Sequence, residues 1–368
     1  MIWALHRLHA HAPRSPSTAD LIGSALGAAP ARAVGVIQFA AYVLIGAYTA
    51  MSIGLLALTW TTDPIAATAG WWWPALSVAA AAVATALVSA LPTRVLATVV
   101  TVLAAFGLLV FLYVALAVLA RVASGTEPVE IGTSAPSSEL GPVAVVIPLA
   151  IGLAGFEIPT AASDRLRSVG RPLGWAMVLV VVCGATGWVA ATMGASGGFR
   201  YDSAGLVLIV SQMFAESGSL WLFAASVATA TAALLVLVWG ATRVARPLVD
   251  RGGALGMVVT AVVMALLVVA MCRGWGDASA KLWGVADILL IIVYALAARA
   301  NSRLDEADTM AWAVFALMGV VLAAVVAVVL YGQGGGEGRW PVAIAAVIGG
   351  VAAALAAERK GLRRRLPR

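Results

Sequence analysis

Charge is what this chain has least of. Asp, Glu, Lys and Arg make up 11% of its 368 residues, against 62% hydrophobic, where a soluble domain carries about a quarter charged residues. Mean hydropathy is +1.00. This excludes an ordinary soluble domain and indicates a polytopic membrane protein. Cysteine is nearly missing too. Cys183 and Cys272 stand in separate apolar stretches, which excludes a disulfide scaffold and leaves two inert buried thiols. Lysine is scarce, 2 residues against 21 arginines. The net charge of +6 therefore comes from arginines at the ends of apolar runs. That is a topology signal and not a basic groove, so no nucleic acid is expected as a partner. The histidines His6, His9 and His11 lie close to Pro13 with no acid or cysteine beside them, which does not make a metal set. No metal and no cofactor are expected. Residues 1–33 hold no apolar run of signal-peptide length, so insertion is expected to rely on later helices.

What is present is a series of apolar runs, each long enough to cross a bilayer at roughly 20 residues. Ten are read: A 34–59, B 72–91, C 95–120, D 142–163, E 173–194, F 219–242, G 254–272, H 282–299, I 310–331 and J 341–357. A shorter apolar stretch, 204–216, reads as a surface helix before F. The runs are rich in Ala, Val, Leu and Gly, which suits close helix packing in lipid. Eighteen of the 23 basic residues fall in residues 1–33, the B–C, D–E, F–G and H–I turns and the C-terminal tail. The other 5 are Arg121, Arg200, Arg273, Lys281 and Arg339. By the positive-inside rule both termini are expected in the cytoplasm, in the plasma or inner membrane. Trp71, Trp72 and Trp73 open span B at the outer interface, where aromatic belts form. The tail LRRRLPR at 362–368 reads as a basic segment on the anionic inner leaflet.

Span D is unlike the others. Residues 148–172 read PLAIGLAGFEIPTAASDRLRSVGRP, with Gly152, Gly155 and Pro159 inside the apolar run and one acid, Glu157. Glycine and proline cost a helix about 1 and 3 kcal/mol. In lipid the freed backbone groups need partners, so a broken helix persists only within protein or facing a polar cavity. An acid inside a span marks a functional site by default. The unwound backbone of Gly152, Leu153, Ala154, Gly155 and Phe156 is thus expected to contact ligand, its N–H groups suiting a carboxylate. Glu157 either couples to a proton or supports the unwound backbone.

Three stretches resemble the amino acid–polyamine–organocation permeases. Gly155, Phe156 and Glu157, followed by Asp164, Arg165 and the Arg171-Pro172 turn, resemble the broken sixth helix of that superfamily. SALPTRVLATVVTVLAAFGLLVFL (89–112) resembles its fourth-to-fifth helix connection. ATATAALLVLVWGATRVARPLVDRGG (228–253) resembles its eighth helix. The resemblance covers roughly 20–357. It implies an all-α polytopic membrane protein with the leucine-transporter-like inverted-repeat bundle and about ten transmembrane helices, truncated at the N-terminus. Two helices of the family, the first with a Gly-rich turn, would precede span A. The implied organisation is a cytoplasmic segment at 1–33, a permease-like region at 34–357 and a basic tail at 358–368. Within the region, 34–120 is a remnant of the first repeat, 142–299 the second repeat and 310–357 two accessory helices.

The function so implied is secondary active transport of amino acids or related amines by alternating access, with the ligand at the broken helix around 152–157. The partners are this small-molecule substrate and the lipid bilayer. H+ and Na+ both stay open as coupling ion, and the oligomeric state stays open too. Gln38 and Tyr42 in span A can line the pathway or simply pack. Thr229 and Thr231 stand where sodium-coupled relatives use hydroxyls as ion ligands; the ordinary role is a hydrogen bond to the carbonyl four residues back. Asp287, the other acid inside a span, is either a proton site or a residue near the outer interface. A non-transporting truncated homologue or scaffold is the alternative. An integral membrane enzyme is the minor one, since no histidine lies in a span and the two intramembrane acids lie on different helices. No enzymatic activity is expected. GQGGGEG at 332–338 lacks the Lys-Ser/Thr of a phosphate loop, which leaves no built-in ATP motor.

Overall fold

The computed structural model describes residues 2–13, 15, 17–59, 71–127, 129–130, 170–196, 203–249, 253–272, 276–305, 308–331 and 342–349. In chain order the helices are α1 (Ile2–His11), α2 (Thr18–Leu26), α3 (Ala28–Thr59), α4 (Trp72–Ala90), α5 (Thr93–Ala123), α6 (Gly170–Gly194), α7 (Ser203–Val249), α8 (Gly253–Cys272), α9 (Gly276–Leu304) and α10 (Thr309–Tyr331). A short helical stretch follows at 342–349. Two two-residue strands, β1 (Val129–Glu130) and β2 (Ala195–Ser196), pair in parallel and join the segment after α5 to the end of α6.

Seven of these helices are long and apolar enough to cross a membrane: α3, α4, α5, α7, α8, α9 and α10. They coincide with spans A, B, C, F, G, H and I, and α6 covers span E. The chain is a multi-pass helical membrane protein. Span D, with Gly152, Leu153, Ala154, Gly155, Phe156 and Glu157, lies outside the described residues, as does most of span J.

The ends of the elements follow from local chemistry. Ser17 caps α2: its hydroxyl accepts from the Asp20 amide at 3.2 Å and donates to the Asp20 carboxylate at 2.6 Å. Gly27, at φ 94°, turns the chain from α2 into α3, a backbone region that L side chains rarely enter. Pro30 falls in the first turn of α3, where its missing N–H is no loss, so α3 begins earlier than the apolar run of span A. Helix α4 stops just before Pro92, since the residue preceding a proline avoids the helical region. The stretch at 204–216 is no separate surface helix. It runs into span F as one 47-residue helix, α7, because the single glycine between them, Gly218, costs about 1 kcal/mol and breaks nothing.

Helix α3 is the centre of the bundle. It packs against α7, α4, α9, α2 and α8, and Ala41, Tyr42, Ala47 and Ala50 are fully buried along it. Helix α9 is nearly as enclosed, buried from Val285 to Ile291 and again at Ala297, Ala298 and Ala300. Helix α10 lies outside, against α9, with Met310, Leu317 and Val320 exposed to what is lipid in the membrane. The two short N-terminal helices belong to the core as well. Ala4, Leu5 and Leu8 of α1 and Leu21 and Ile22 of α2 are completely buried, and both helices pack on α9.

Small residues set the spacing between the long helices. A Cβ on Gly107 of α5 would meet the Thr229 hydroxyl and stand 3.0 Å from the Ala225 carbonyl of α7. A Cβ on Gly54 of α3 would stand 2.9 Å from the Ser77 amide of α4. Backbone cannot give way as a flexible side chain can, so Gly107→Val and Gly54→Val are expected to destabilise the bundle by about 1–3 kcal/mol, the usual range for overpacking. Gly319→Ala, on open surface of α10, should be neutral or mildly stabilising. Thermal unfolding in detergent, followed by size-exclusion chromatography, measures all three.

Candidate functional site

A membrane bundle has little reason to bury polar side chains without partners, so those that are buried point to the functional interior. An unsatisfied amide or carboxyl costs about 1–3 kcal/mol by mutational measures and more by transfer into hydrocarbon. Gln38 and Tyr42 are both fully buried on α3, one turn apart. The Gln38 amide nitrogen donates to the Tyr42 hydroxyl at 2.6 Å and reaches the Thr18 hydroxyl of α2 at 3.5 Å. Its carbonyl oxygen has no hydrogen-bond partner among the described residues. Turning the amide over only exchanges which end lacks one. The first turn of α2, buried at Ser17, Thr18 and Ala19, therefore meets α3 at the depth of Gln38.

Asp287 lies 11 residues into α9, because that helix starts at Gly276 and not at 282. The carboxylate is thus about 16 Å along the helix from its first residue and well inside the bundle. It is 5% exposed, and Oδ1 has no partner among the described residues. Lower on the same helix Asn301 is fully buried with neither amide atom partnered among them. Residues 287, 294 and 301 are seven apart and share one face of a helix, so Asp287, Tyr294 and Asn301 form a polar stripe. Asn301 and Thr18 were not among the residues singled out from sequence. The seven-residue spacing of Asp287, Tyr294 and Asn301 is the signal the sequence carries for this stripe, and two of its three members are uncharged.

Thr229 occupies a different interface. Its hydroxyl donates to the Ala225 carbonyl at 2.8 Å and abuts Gly107, the ordinary use of a hydroxyl four residues on. Thr231 is half-buried on the same helix. Both belong to α7, whereas Asp287 is on α9, which packs on α3 and α10. Gln38 and Tyr42 are brought together; Thr229 and Thr231 do not join them. His6 and His11 are exposed and His9 is buried. Among the described residues no group of three His, Cys, Asp or Glu can hold a metal ion.

At the end of α9 the N-terminal helix is fastened by charge. The Arg7 guanidinium of α1 forms an ion pair with Asp308, between α9 and α10, and also lies 5.0 Å over the Trp3 ring. The other Asp308 oxygen caps α10, accepting from the Met310 amide at 3.0 Å and the Ala311 amide at 3.2 Å. Arg299, one turn before the last turn of α9, stands 4.6 Å over Trp312 and 5.6 Å over Phe315 of α10, so a cation–π contact closes the same corner.

Desolvation raises the Asp308 carboxyl, but the Ala311 amide, the Arg7 guanidinium and the Met310 amide outweigh it and hold it below the ordinary carboxylate value of 3.8. A depressed acid stabilises the folded form above its unfolded pKa and loses that contribution as pH falls through the folded one. The α1 clasp is therefore expected to be intact above about pH 4 and to loosen below it. Asp308→Asn should loosen it at neutral pH as well. Labelling of Leu8→Cys with a dithiodipyridine, normalised at each pH to a free thiol because only the thiolate reacts, should speed up several-fold in both conditions.

No protein-family model matches the chain, and no curated protein matches it, so what the site does is argued from its residues and geometry.

Proposed function

We propose that the protein is a secondary active transporter of amino acids or related amines working by alternating access. The observation that carries this reading is the placement of Gln38, Tyr42 and Asp287. These are polar side chains buried in a multi-pass bundle, and two of them have atoms lacking partners among the described residues. In a membrane interior such groups mark a substrate or ion pathway. In this reading the bundle is built on the leucine-transporter-like inverted repeat, with 34–120 from the first repeat and 142–299 the second. The ligand contacts the unwound backbone at Gly152–Phe156 together with Gln38 and Tyr42. Glu157 supports the broken helix, and Asp287 is the coupling group with H+ as the ion. Thr229 and Thr231 are left to packing, since Thr229 has its hydroxyl committed to Ala225. Both termini are cytoplasmic, in line with the arginine distribution, and no bound cofactor takes part.

Proteoliposomes of the protein should take up radiolabelled amino acids or amines saturably. Gly155→Leu should abolish uptake while leaving insertion intact, and Gln38→Leu should raise KM by about tenfold, the equivalent of losing roughly 1.4 kcal/mol of ligand interaction. Asp287→Asn should stop accumulation against a gradient and spare exchange. Absence of saturable uptake across the amino acids and simple amines would end the carrier reading. Labelling of Arg365→Cys from outside intact cells would overturn the orientation.

A further inference from the structure

Buried and half-buried polar groups recur along both α3 and α9. The ion pair of Arg7 with Asp308 brings the end of α9 to the side of the bundle that holds α1. Helix α1 also packs on α2, which leads through Gly27 into the start of α3. The two helices therefore run in opposite directions, and depth can be measured from their shared end. Asn301 lies about 5 Å from the end of α9, Tyr294 about 15 Å and Asp287 about 26 Å. Gln38 lies about 15 Å from the start of α3 and Tyr42 about 21 Å. Helix α9 packs against both α2 and α3. The polar groups thus rise in steps from the α1 side to Asp287, which is about 16 Å from the opposite end of α9.

The kind of group in this series decides what it carries. Asn, Gln, Tyr and Thr side chains both donate and accept hydrogen bonds, as water does. Atoms with no partner among the described residues also recur, at Gln38 Oε1, at both amide atoms of Asn301 and at Asp287 Oδ1. A water held at any of these atoms would need two to four polar neighbours. Of the other titratable groups on elements packed against α9, His9 of α1 is buried. Asp20 of α2, Arg32 and Tyr48 of α3 and Cys272 of α8 are partly buried, and α10 contributes only Tyr331.

We propose that Thr18, Gln38, Tyr42, Tyr294 and Asn301 line a hydrated proton path that opens Asp287 to the side of the membrane on which α1 lies. A proton enters from bulk water, passes along the bound waters and the amphoteric side chains, and binds the Asp287 carboxylate to give the neutral acid; release reverses the same step. The path rests on the reading of Asp287 as the coupling group and adds the route and the side from which the proton arrives. Helix α1, with Leu5, Leu8 and His9 buried and Arg7 clasped to Asp308, covers its mouth.

The test needs no substrate, so its failure is separable from failure of uptake. In full-length protein carrying Cys183→Ala and Cys272→Ala, Tyr294→Cys should react with a small charged thiol reagent added on the α1 side of oriented vesicles. Leu289→Cys, fully buried on the opposite face of α9, should not. Adding Asn301→Leu should slow the Tyr294→Cys reaction by roughly tenfold, a rise of about 1.4 kcal/mol in the barrier. Because Asn301→Leu can disturb folding, a second measurement uses the parent protein. Infrared spectra titrated over the neutral range should show a protonated carboxyl band that is missing from Asp287→Asn. Deuterium supplied on the α1 side should shift that band faster than deuterium supplied on the other. Equal labelling of the two cysteine variants, labelling of Tyr294→Cys only from the far side, or no Asp287 carboxyl band would each overturn the path.

Discussion

The cost of leaving a polar group without a partner in hydrocarbon governs this molecule. It forces the backbone into helices, since a helix satisfies its own N–H and C=O groups within one segment. It also explains how hydroxyls behave here. Thr49, Ser52, Ser77, Thr85, Ser226, Thr229 and Thr260 all donate to the carbonyl four residues back. Against that background Gln38, Asp287 and Asn301 are exceptions with a location. Each is at least nine-tenths buried, and each retains an atom with no partner among the described residues. Amides and carboxylates cannot fold back on their own helix as a short hydroxyl does, so they need something beyond it.

Association of the helices rests on a second consequence of the same solvent. Lipid offers no hydrophobic drive to bring apolar helices together, so close packing has to do it. Gly107 against Thr229 and Ala225, and Gly54 against Ser77, bring backbones to distances that a single methyl would block. Large apolar residues occur on both sides of the packing: Leu234, Leu235, Met264 and Leu289 are buried between helices, while Leu109 and Tyr113 of α5 and Leu266 of α8 face outward.

Charge is kept to the ends and used there. Asp308 serves α1 through Arg7 and α10 through its first-turn amides. Arg299 serves the α9–α10 corner through two aromatic faces. Both contacts lie beside the Asn301 end of the polar stripe, and of the two the Arg7–Asp308 pair is the one that responds to pH. Exposed ion pairs are weak, and α1 is held chiefly by its apolar face of Ala4, Leu5 and Leu8. The charge contact sets where it docks.

Much of the architecture was legible in the residues alone. Long apolar runs with charge only at their ends dictate membrane helices whatever their partners, because each helix is stable in lipid by itself. Spans A, B, C, F, G, H and I overlap α3, α4, α5, α7, α8, α9 and α10 on that ground, although α3 and α9 start 6 residues earlier than spans A and H and α7 starts 16 residues earlier than span F. Three things needed tertiary structure. The N-terminal helices have no membrane-length run, so their burial against α9 follows only from which surface receives them. The continuity of α7 turned on a single glycine whose local penalty is too small to decide the matter. The burial of Asp287 and Asn301 is decided by the helices packed around α9, and Thr18 meets Gln38 only because Gly27 folds α2 back along α3. Hydropathy ranks residues one at a time, whereas a buried amide is judged by its neighbours, and those are chosen by the packing of helices.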